Sequence, residues 1–401
     1  MSETNGPLQG LVVIECATVV AAPLIGRILA DFGAEVIHVE HPLKGDHLRQ
    51  FGFSVEGINP WWKYYGRNKK NITLDISKEK GRQVLFGLLE KADVFIENFR
   101  PGRLEEWNIH YDDLKKINEK LIMVRVTGFG QDGPYRNQPG FGTLIEAMSG
   151  FAALVGDAEG PPTLPPFPLA DSFAGLFGLF ALMFAIYYRD VVGSGKGQVI
   201  DVSIWEGLYS MVGPNAAIYD LTGKILERVG NRAFTSAPRN CYQTKDKRWV
   251  AIAGATQTTA ARFFKAIGNP ELINDPRFNT NENRIKNVEA LDAIVGKWFK
   301  MNTLSDILEV LKTNEVPVGP VMDIRDIIKD PHAKHRQMII DFPDDDKDVL
   351  MMEGIFPKMS LTPGVVKHTG KKMGADNKEI LEKFLGLSKE DIKDLSVSRI
   401  I

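Results

Sequence analysis

Residues 11–39 read LVVIECATVVAAPLIGRILADFGAEVIHV, and this stretch decides the fold. The run from Leu11 to Glu15 predicts a β-strand, and Glu35 to Val39 predicts a second one. Between them, the apolar segment from Pro23 to Phe32 predicts a helix, with a proline near its start and Gly33 as its C-cap. A strand, a helix and a strand in this order predict two parallel strands joined by a right-handed crossover.

The same alternation continues along the first half of the chain. Further strands are predicted at Ile72 to Ile76, Val94 to Ile96, Leu121 to Val126 and Gln198 to Val202. Lys78 to Ala92 is predicted as an amphipathic helix with Ser77 as its N-cap, and Ile204 to Tyr219 as another helix. We therefore expect an α/β fold in which a Rossmann-like parallel sheet forms the large domain.

We divide the chain into three segments. The large domain covers residues 1–222 and ends where the sequence becomes polar and contains glycine and proline, around Gly223 to Asn240. A smaller α/β domain covers residues 223–330, with a strand at Trp249 to Ala253. The last segment, residues 331–401, is expected to return to the large domain.

The charge and cysteine content narrow the range of functions. The 401 residues include 49 basic and 51 acidic side chains, which give a formal net charge of −2. A nucleic-acid or anionic-membrane partner normally leaves a basic excess, so neither partner is expected. The two cysteines, Cys16 and Cys241, form no disulfide framework, and the seven histidines show no metal-binding motif, so we predict no metal site.

The apolar segments indicate a soluble protein. The first ten residues are polar and include an acid, which is unlike a secretory signal. The longest apolar run, Phe173 to Tyr188, is shorter than the ~20 residues that span a membrane, and Asp171 and Arg189 flank it. We expect a buried core helix here, no membrane partner and a cytoplasmic location.

Four loops follow predicted strands and should meet at one edge of the sheet, where open parallel sheets bind ligands. These loops are Cys16 to Ala22, Glu40 to Arg49, Glu97 to Gly102 and Thr127 to Pro134. Polar and aromatic side chains are predicted at the same edge, namely Arg67, Asn68, Lys69, Lys70, Asn98, Phe99, Arg100 and Arg103. Such a set suits a phosphorylated ligand with an adenine ring, while each residue alone also fits a solvated surface.

Residues 128–133, GFGQDG, match the GxGxxG fingerprint of dinucleotide-binding proteins. The fingerprint should open a helix, but Pro134 and Pro139 follow closely, and no strand ends in an acidic residue ~20 positions later. We interpret the segment as a tight glycine loop. A nicotinamide-dependent dehydrogenase is the alternative with the least support.

Asp171 stands at the start of the apolar helix, in the segment PLADSFAG from Pro168 to Gly175. The residues alone leave two interpretations open. Aspartate is a preferred N-cap, and capping requires no catalysis. A helix N-terminus also keeps a carboxylate ionised in apolar surroundings, and an aspartate held in this way can act as a nucleophile.

Four segments in a fixed order resemble a known family. They are ADFGAEVI at residues 30–37, ADVFIENFRPG at residues 92–102, the loop from Gly128 to Pro134, and ADSFAG at residues 170–175. The chain resembles the class III CoA-transferase family, which includes formyl-CoA transferase, carnitine CoA-transferase and the related α-methylacyl-CoA racemases. The similarity extends from about Leu11 to Pro320 and is weaker beyond.

The resemblance implies an enzyme that moves coenzyme A from an acyl-CoA donor to a carboxylic acid through an aspartyl-CoA thioester on Asp171. It also implies an interlocked homodimer and no permanently bound cofactor, since CoA is a substrate. The family's CoA contacts fall on His41, Asn68, Lys69, Asn98, Phe99 and Arg100.

Three positions depart from the family pattern. Glu106 stands where relatives have a phosphate-binding arginine, and Arg103 is the candidate to replace it. Gly142 stands where relatives tend to have an acidic or amide residue. The glycine-rich loop that covers the active site of formyl-CoA transferase is reduced here to Ala253 to Ala255, which argues against formate and oxalate as substrates.

Two alternatives to the transferase stay open. The racemases carry a histidine just before the segment that begins here at Phe141, whereas this sequence has no histidine between His110 and His332. A racemase-like enzyme is therefore the less favoured alternative. The other alternative is a CoA-binding protein without catalysis. The sequence does not identify the acids that are exchanged.

Overall fold

A six-stranded parallel sheet forms the centre of the computed structural model, which describes residues 6–254 and 256–401. Its strands are β1 (Val12–Cys16), β2 (Glu35–Glu40), β3 (Lys70–Thr73), β4 (Val94–Glu97), β5 (Ile122–Thr127) and β6 (Val199–Ser203). They lie in the order β3-β2-β1-β4-β5-β6, and every neighbouring pair is parallel. This result confirms the predicted α/β fold. The strand order reverses between β1 and β4, and such a reversal opens a crevice at the carboxyl ends of the strands.

Helices α1 to α9 connect and flank these strands. They are α1 (Ala21–Asp31), α2 (Pro60–Tyr65), α3 (Glu79–Leu89), α4 (Arg103–Glu106), α5 (Tyr111–Ile117), α6 (Gly142–Met148), α7 (Phe151–Leu154), α8 (Leu169–Asp190) and α9 (Ile204–Tyr209). A short 3₁₀ helix covers His47–Gln50. Residues 6–151, 164–214 and 335–401 form one compact unit.

The helix α8 packs closely on α1. Its buried face includes Ala174, Gly175 and Gly178, and these small residues allow the two backbones to approach. A Cβ atom at position 175 would lie 2.7 Å from the backbone oxygen of Ala21, which is shorter than real Cβ contacts. The glycine therefore fixes α8 against the start of α1, directly beside the crevice.

The opposite face of α8 is exposed, so the expectation of a fully buried core helix is wrong. Phe177, Phe180, Phe184 and Tyr187 recur every three or four residues along this face, and Phe184 is 72% exposed. By length and composition α8 could cross a membrane, and 33% of its most apolar window is buried. The helix thus has one face that belongs to the core and one apolar face that nothing within this chain covers, as far as the described residues show.

The second compact unit comprises residues 152–163 and 215–334. Its antiparallel sheet has the order β7 (Arg239–Gln243), β8 (Trp249–Ala253) and β9 (Val318–Pro320). Its helices are α10 (Asn215–Thr222), α11 (Gln257–Ala266), α12 (Asn281–Lys286), α13 (Val288–Met301), α14 (Leu304–Thr313) and α15 (Ile324–Lys329), with a 3₁₀ helix at Pro270–Ile273. Buried Phe263, Phe299 and Leu311 mark its own apolar core.

The C-terminal segment contains α16 (Pro331–His335), the hairpin of β10 (Ile339–Asp344) and β11 (Asp348–Glu353), and the helices α17 (Asn377–Leu385) and α18 (Lys389–Val397). Its contacts cover the edge strand β3. The carboxylate of Asp376 accepts the backbone N–H of Asn71 at 2.7 Å, and the side-chain oxygen of Asn377 accepts that of Thr73 at 2.8 Å. These bonds satisfy an edge that would otherwise expose unpaired backbone groups.

Two local predictions are wrong. The Ser77 hydroxyl does not cap α3 but donates a 2.6 Å hydrogen bond to Asp75, and Lys78 occupies the N-cap position. The helix predicted from Ile204 to Tyr219 is divided into α9 and α10. Gly213 has a φ of +91° and Pro214 follows it, and this pair interrupts the regular hydrogen bonding of a helix.

A buried ion pair joins β1 to the residue before β3. The amino group of Lys69 lies 2.7 and 3.0 Å from the two carboxylate oxygens of Glu15 and donates to the backbone oxygen of Pro23 at 2.9 Å. Nδ1 of His38 lies 2.6 Å from the same carboxylate. Since Glu15 is fully buried, its charge depends on these partners.

Replacing Lys69 by alanine should therefore destabilise the fold, because it leaves the buried Glu15 carboxylate without its main counter-charge. We expect a loss of about 3–5 kcal/mol in the free energy of unfolding, measured by denaturant titration. Lys70→Ala is the matched control, since the Lys70 amino group pairs with half-exposed Glu379 and should contribute about 1 kcal/mol or less. Equal losses in the two variants would show that the buried pair does not anchor the strands.

Candidate active site

A cavity of about 270 Å³ lies at the carboxyl ends of the strands, where the sheet order reverses. Three of the four predicted loops form most of its wall, and the loop after β2 contributes His47. The main lining residues are Thr18, Val19, Val20, Ala21, Asn98, Phe99, Arg100, Thr127, Gly128, Phe129, Arg136, Gln138 and Asp171. The sequence-based placement of a ligand crevice thus coincides with a cavity that also contains the candidate nucleophile.

Asn98 joins the loops after β1 and β4. Its amide nitrogen donates to the backbone oxygen of Thr18 at 2.7 Å, and its amide oxygen accepts the backbone N–H of Thr18 at 3.0 Å. This two-bond pairing fixes the separation of the two loops. Phe99 lines the cavity beside it and packs edge-on against Trp107.

The backbone of the β1–α1 loop is held in an unusual conformation at Val19, where φ is +70°. A β-branched residue in this region is strained, at a typical cost of about 1–3 kcal/mol. The buried carboxylate of Asp46 accepts the backbone N–H groups of Val19 at 3.1 Å and Leu48 at 2.8 Å. Nε2 of His38 lies 3.6 Å from the same carboxylate. The buried carboxylate of Asp46 therefore holds the β1–α1 loop, one wall of the cavity, in place.

Asp171 is the third residue of α8 and lies in its first turn. Pro168 is the N-cap residue and no side chain of the helix start caps it, so the N-cap interpretation of Asp171 is wrong. Burial raises the pKa of Asp171 to about 6, and the charge of Glu146 adds to the increase. At neutral pH the carboxylate is mostly ionised and more basic than an exposed aspartate, which favours its use as a nucleophile.

The cavity carries more positive than negative side chains. Asp171 is the single acidic group among its lining residues, whereas Arg100 and Arg136 carry permanent positive charges. Within the described ranges, neither arginine forms an ion pair with a carboxylate. An anionic ligand can therefore bind both guanidinium groups without displacing a protein partner.

Four of the predicted CoA-binding residues lie outside this cavity, namely His41, Asn68, Lys69 and Arg103. His41 follows β2 as expected, and its Nε2 lies 4.0 Å from the carboxylate of Asp75. Arg103 begins α4 and forms a 2.6 Å ion pair with Glu106, the residue that stands in place of the family's arginine. The two residues thus compensate each other's charge, and a phosphate contact by Arg103 stays a prediction.

Asn68 and Lys69 precede β3, so the edge shared by the strand-following loops does not include them. Lys69 is bound to Glu15, as described above. The side chain of Asn68 bonds the carboxylate of Asp31 and the backbone of Val365 and Lys367. Arg67, grouped with them in the sequence, is buried against Asp31. The predicted basic cluster at one edge is therefore wrong, because Arg67, Asn68 and Lys69 precede β3 and lie at the opposite end of that strand from its carboxyl end.

Sequence reasoning missed Asp46, Arg136 and Glu146. Asp46 lies in the loop after β2, which was predicted at the correct edge, so this position could have identified it as a site residue. Arg136 lies two residues beyond the end of the predicted glycine loop. No sequence motif identifies Glu146, although it follows Gly142, a position singled out above, by one helical turn.

The short loop at Ala253 to Ala255 belongs to the second unit. The backbone N–H of Gly254 donates to the oxygen of Pro238 at 2.7 Å, and Ala255 lies outside the described residues. The proposed covering role of this loop stays a prediction.

Comparison with known proteins extends over both units. The model of a family described as CoA-transferase family III matches residues 8–377. The chain is 40% identical to a succinyl-CoA–D-citramalate CoA-transferase of Chloroflexus aurantiacus over 98% of each chain. It is 38% identical to the beta subunit of a succinyl-CoA–L-malate CoA-transferase of that organism over 99% of each chain. The crystal structure of a CAIB/BAIF family protein from Brucella suis matches with a TM-score of 0.84 at 32% identity, over 95% of this chain and 100% of that one.

Proposed function

This chain belongs to CoA-transferase family III, and we propose that it moves coenzyme A from succinyl-CoA to a second dicarboxylic acid through acyl intermediates on Asp171. The observation that carries the proposal is the position of Asp171. Its partly buried carboxylate lines the same cavity as two arginines that have no acidic partner among the described residues. This arrangement suits a thioester whose phosphate and carboxylate groups are negative and whose carbonyl carbon is attacked by a carboxylate.

The first half of the proposed reaction transfers CoA to the enzyme. A carboxylate oxygen of Asp171 attacks the thioester carbonyl carbon, the C–S bond breaks, and CoA leaves as a thiolate. The products are a mixed anhydride and the thiolate. The thiolate then attacks the Asp171 carbonyl carbon of the anhydride, which releases the donor acid and leaves an aspartyl-CoA thioester.

The second half repeats these steps with the acceptor. The acceptor carboxylate attacks the aspartyl thioester, which gives a second mixed anhydride and a thiolate. The thiolate attacks the acceptor's carbonyl carbon, forms the new CoA thioester and returns Asp171 to its carboxylate form. No proton is gained or lost overall. Asp171 is partly buried, and this limited exposure reduces hydrolysis of the anhydrides in the proposed reaction.

The proposed substrate class rests on charge. The names of the relatives quoted above contain succinyl-CoA, citramalate and malate, which all retain a free carboxylate when the other one is activated. Arg100 and Arg136 both line the cavity, so one can bind a CoA phosphate while the other binds the distal carboxylate. The family resemblance places Arg100 on CoA, and we therefore assign Arg136 to the acyl group.

The exposed face of α8 supports a homodimer. Phe177, Phe180, Phe184 and Tyr187 form a continuous apolar stripe on a helix whose first turn contains the nucleophile. A stripe of this kind is covered in most soluble proteins. We propose a second copy of this chain as the covering partner, in the interlocked arrangement that the family resemblance implies.

Asp171 should become covalently modified when the enzyme turns over. Incubation with succinyl-CoA and hydroxylamine, without acceptor, should convert Asp171 to its hydroxamate, because an aspartyl anhydride or thioester is an electrophile. Peptide mass mapping measures the product. Asp171→Asn is the control, and it should lower transfer by at least ~10⁴-fold while it still binds CoA. An unmodified peptide during active turnover would reject this mechanism in favour of a racemase or a passive CoA-binding protein.

The two cavity arginines should have separable effects. Arg100→Ala should raise the KM of every CoA thioester by about tenfold or more, and high salt should reduce the difference. Arg136→Gln should impair succinyl-CoA by about tenfold or more but leave acetyl-CoA, whose acyl group has no charge, within about twofold. Steady-state kinetics with both donors measures the contrast. If Arg136→Gln weakened both donors equally, the assignment of Arg136 to the acyl carboxylate would be wrong.

The protein should sediment as a dimer of about twice the 44.7 kDa chain mass at all accessible concentrations. The reason is the exposed apolar stripe, which is costly in water. Sedimentation velocity over a hundredfold dilution measures the assembly. A folded and active species with the mass of one chain would contradict the dimer.

A further inference from the structure

We propose that Glu146 of α6 is a positioning residue for Asp171: its carboxylate fixes the first turn of α8 beside the nucleophile, and its negative charge raises the pH at which Asp171 becomes nucleophilic. This inference rests on the proposed role of Asp171. It concerns a buried acidic residue that the reaction steps above do not use.

The first step is the hydrogen bonding of Glu146, which is 2% exposed. Its Oε1 atom accepts the backbone N–H of Leu169 at 3.1 Å and that of Ala170 at 3.3 Å. These two groups lie in the first turn of α8, where a helix has no internal acceptor for its N–H groups. Because Pro168 offers no side-chain cap, Glu146 caps α8 from a neighbouring helix. The residue that follows this capped pair is Asp171.

The second step is the space that α6 leaves for the nucleophile. Gly142 lies one helical turn before Glu146, so both residues lie on the same face of α6. A Cβ atom at position 142 would lie 2.1 Å from Oδ2 of Asp171, far inside any real contact distance. The Asp171 carboxylate therefore lies directly against the backbone of α6. Gly142 makes room for that carboxylate, and Glu146 anchors the turn that carries it.

The third step is the charge near Asp171. Burial is the larger reason for its raised pKa, and Glu146 is the nearby charge that raises it further. The remaining charged groups on elements packed against α8 are compensated or exposed. Ion pairs join Arg27 to Asp31, Arg125 to Glu97 and Glu105, and Arg189 to Asp93 and Asp190. Asp201 accepts the backbone N–H of Gln131, and Glu206 is exposed to solvent. Tyr65 of α2 and the cavity's His47, Arg100 and Arg136 complete the ionisable surroundings.

The sign of the effect follows from this arrangement. A negative neighbour disfavours the ionised form of Asp171, so it raises the pH that is needed to form the nucleophile. Removing only that charge should lower the pKa of Asp171, and the acid limb of the rate profile should move to lower pH. A residue with a purely structural role would leave the position of this limb unchanged.

The test is the variant Glu146→Gln, which keeps an oxygen acceptor for both N–H groups and removes the charge. The measurement is kcat/KM for succinyl-CoA from pH 5 to pH 8. The unmodified enzyme should lose activity below an apparent pKa of about 6. In Glu146→Gln this limb should shift down by at least ~0.5 pH unit, since a close charge moves a pKa by that order or more. Glu206→Gln, which removes an exposed charge on α9, is the matched control and should not shift the limb.

An unshifted limb in an active Glu146→Gln variant would overturn the proposal, and so would a folded variant without activity at any pH. If Glu146→Gln does not fold, Gly142→Ala tests the same geometry. It should lower kcat by at least ~10-fold with little change in the KM for CoA thioesters, and normal activity would contradict the contact. Failure of the proposed function would give a different result: Asp171→Asn would then remain active, irrespective of the effect of Glu146→Gln.

Discussion

The close approach of α8 to α1 fixes the position of Asp171, the proposed nucleophile, and the rest of the candidate site is arranged around it. Gly175 allows this approach, because any side chain there would meet the backbone of Ala21. Ala21 also belongs to the loop that forms the cavity wall at the point where the sheet order reverses. The same contact therefore sets both the nucleophile and the surface that faces it. A shift of α8 along its axis would separate Asp171 from the loops after β1 and β4.

Three carboxylates of the large unit, those of Glu15, Glu97 and Asp171, differ in their partners. Glu15 and Glu97 each have a cation as partner, Lys69 and Arg125 respectively, and these pairs join strands or loops. Asp171 has no cationic partner among the described residues, and its neighbour Glu146 is itself acidic. The paired carboxylates thus contribute structure at a moderate cost in free energy. Asp171, which has no such partner, has a raised pKa, and this property suits its proposed role as a nucleophile.

The sequence was most informative where periodicity and chain order determine the structure. The βαβ unit at residues 11–39 predicted the sheet, and the order of the loops predicted the crevice. Asp171 was identified by resemblance, since its residue type alone also fits a cap. Asn68 and Lys69 were misplaced because they precede β3, at the opposite end of that strand from the loops that follow the strands. Glu146 could not be found in this way, because its function depends on how α6 packs against α8, and no local pattern encodes that packing.

The basicity of Asp171 also bears on the direction of the proposed reaction. In the first mixed anhydride the CoA thiolate can attack either carbonyl carbon. Attack on the donor carbonyl expels Asp171 and reverses the reaction, whereas attack on the Asp171 carbonyl expels the donor acid and continues it. An ordinary carboxylic acid has a pKa of about 4, so its carboxylate is a better leaving group than one with a pKa of about 6. In the proposed reaction, burial and the charge of Glu146 would therefore favour collapse toward the aspartyl-CoA thioester. The same preference would slow the return of Asp171 from the second anhydride, and holding the acceptor carboxylate close to Asp171 inside the cavity would offset this cost.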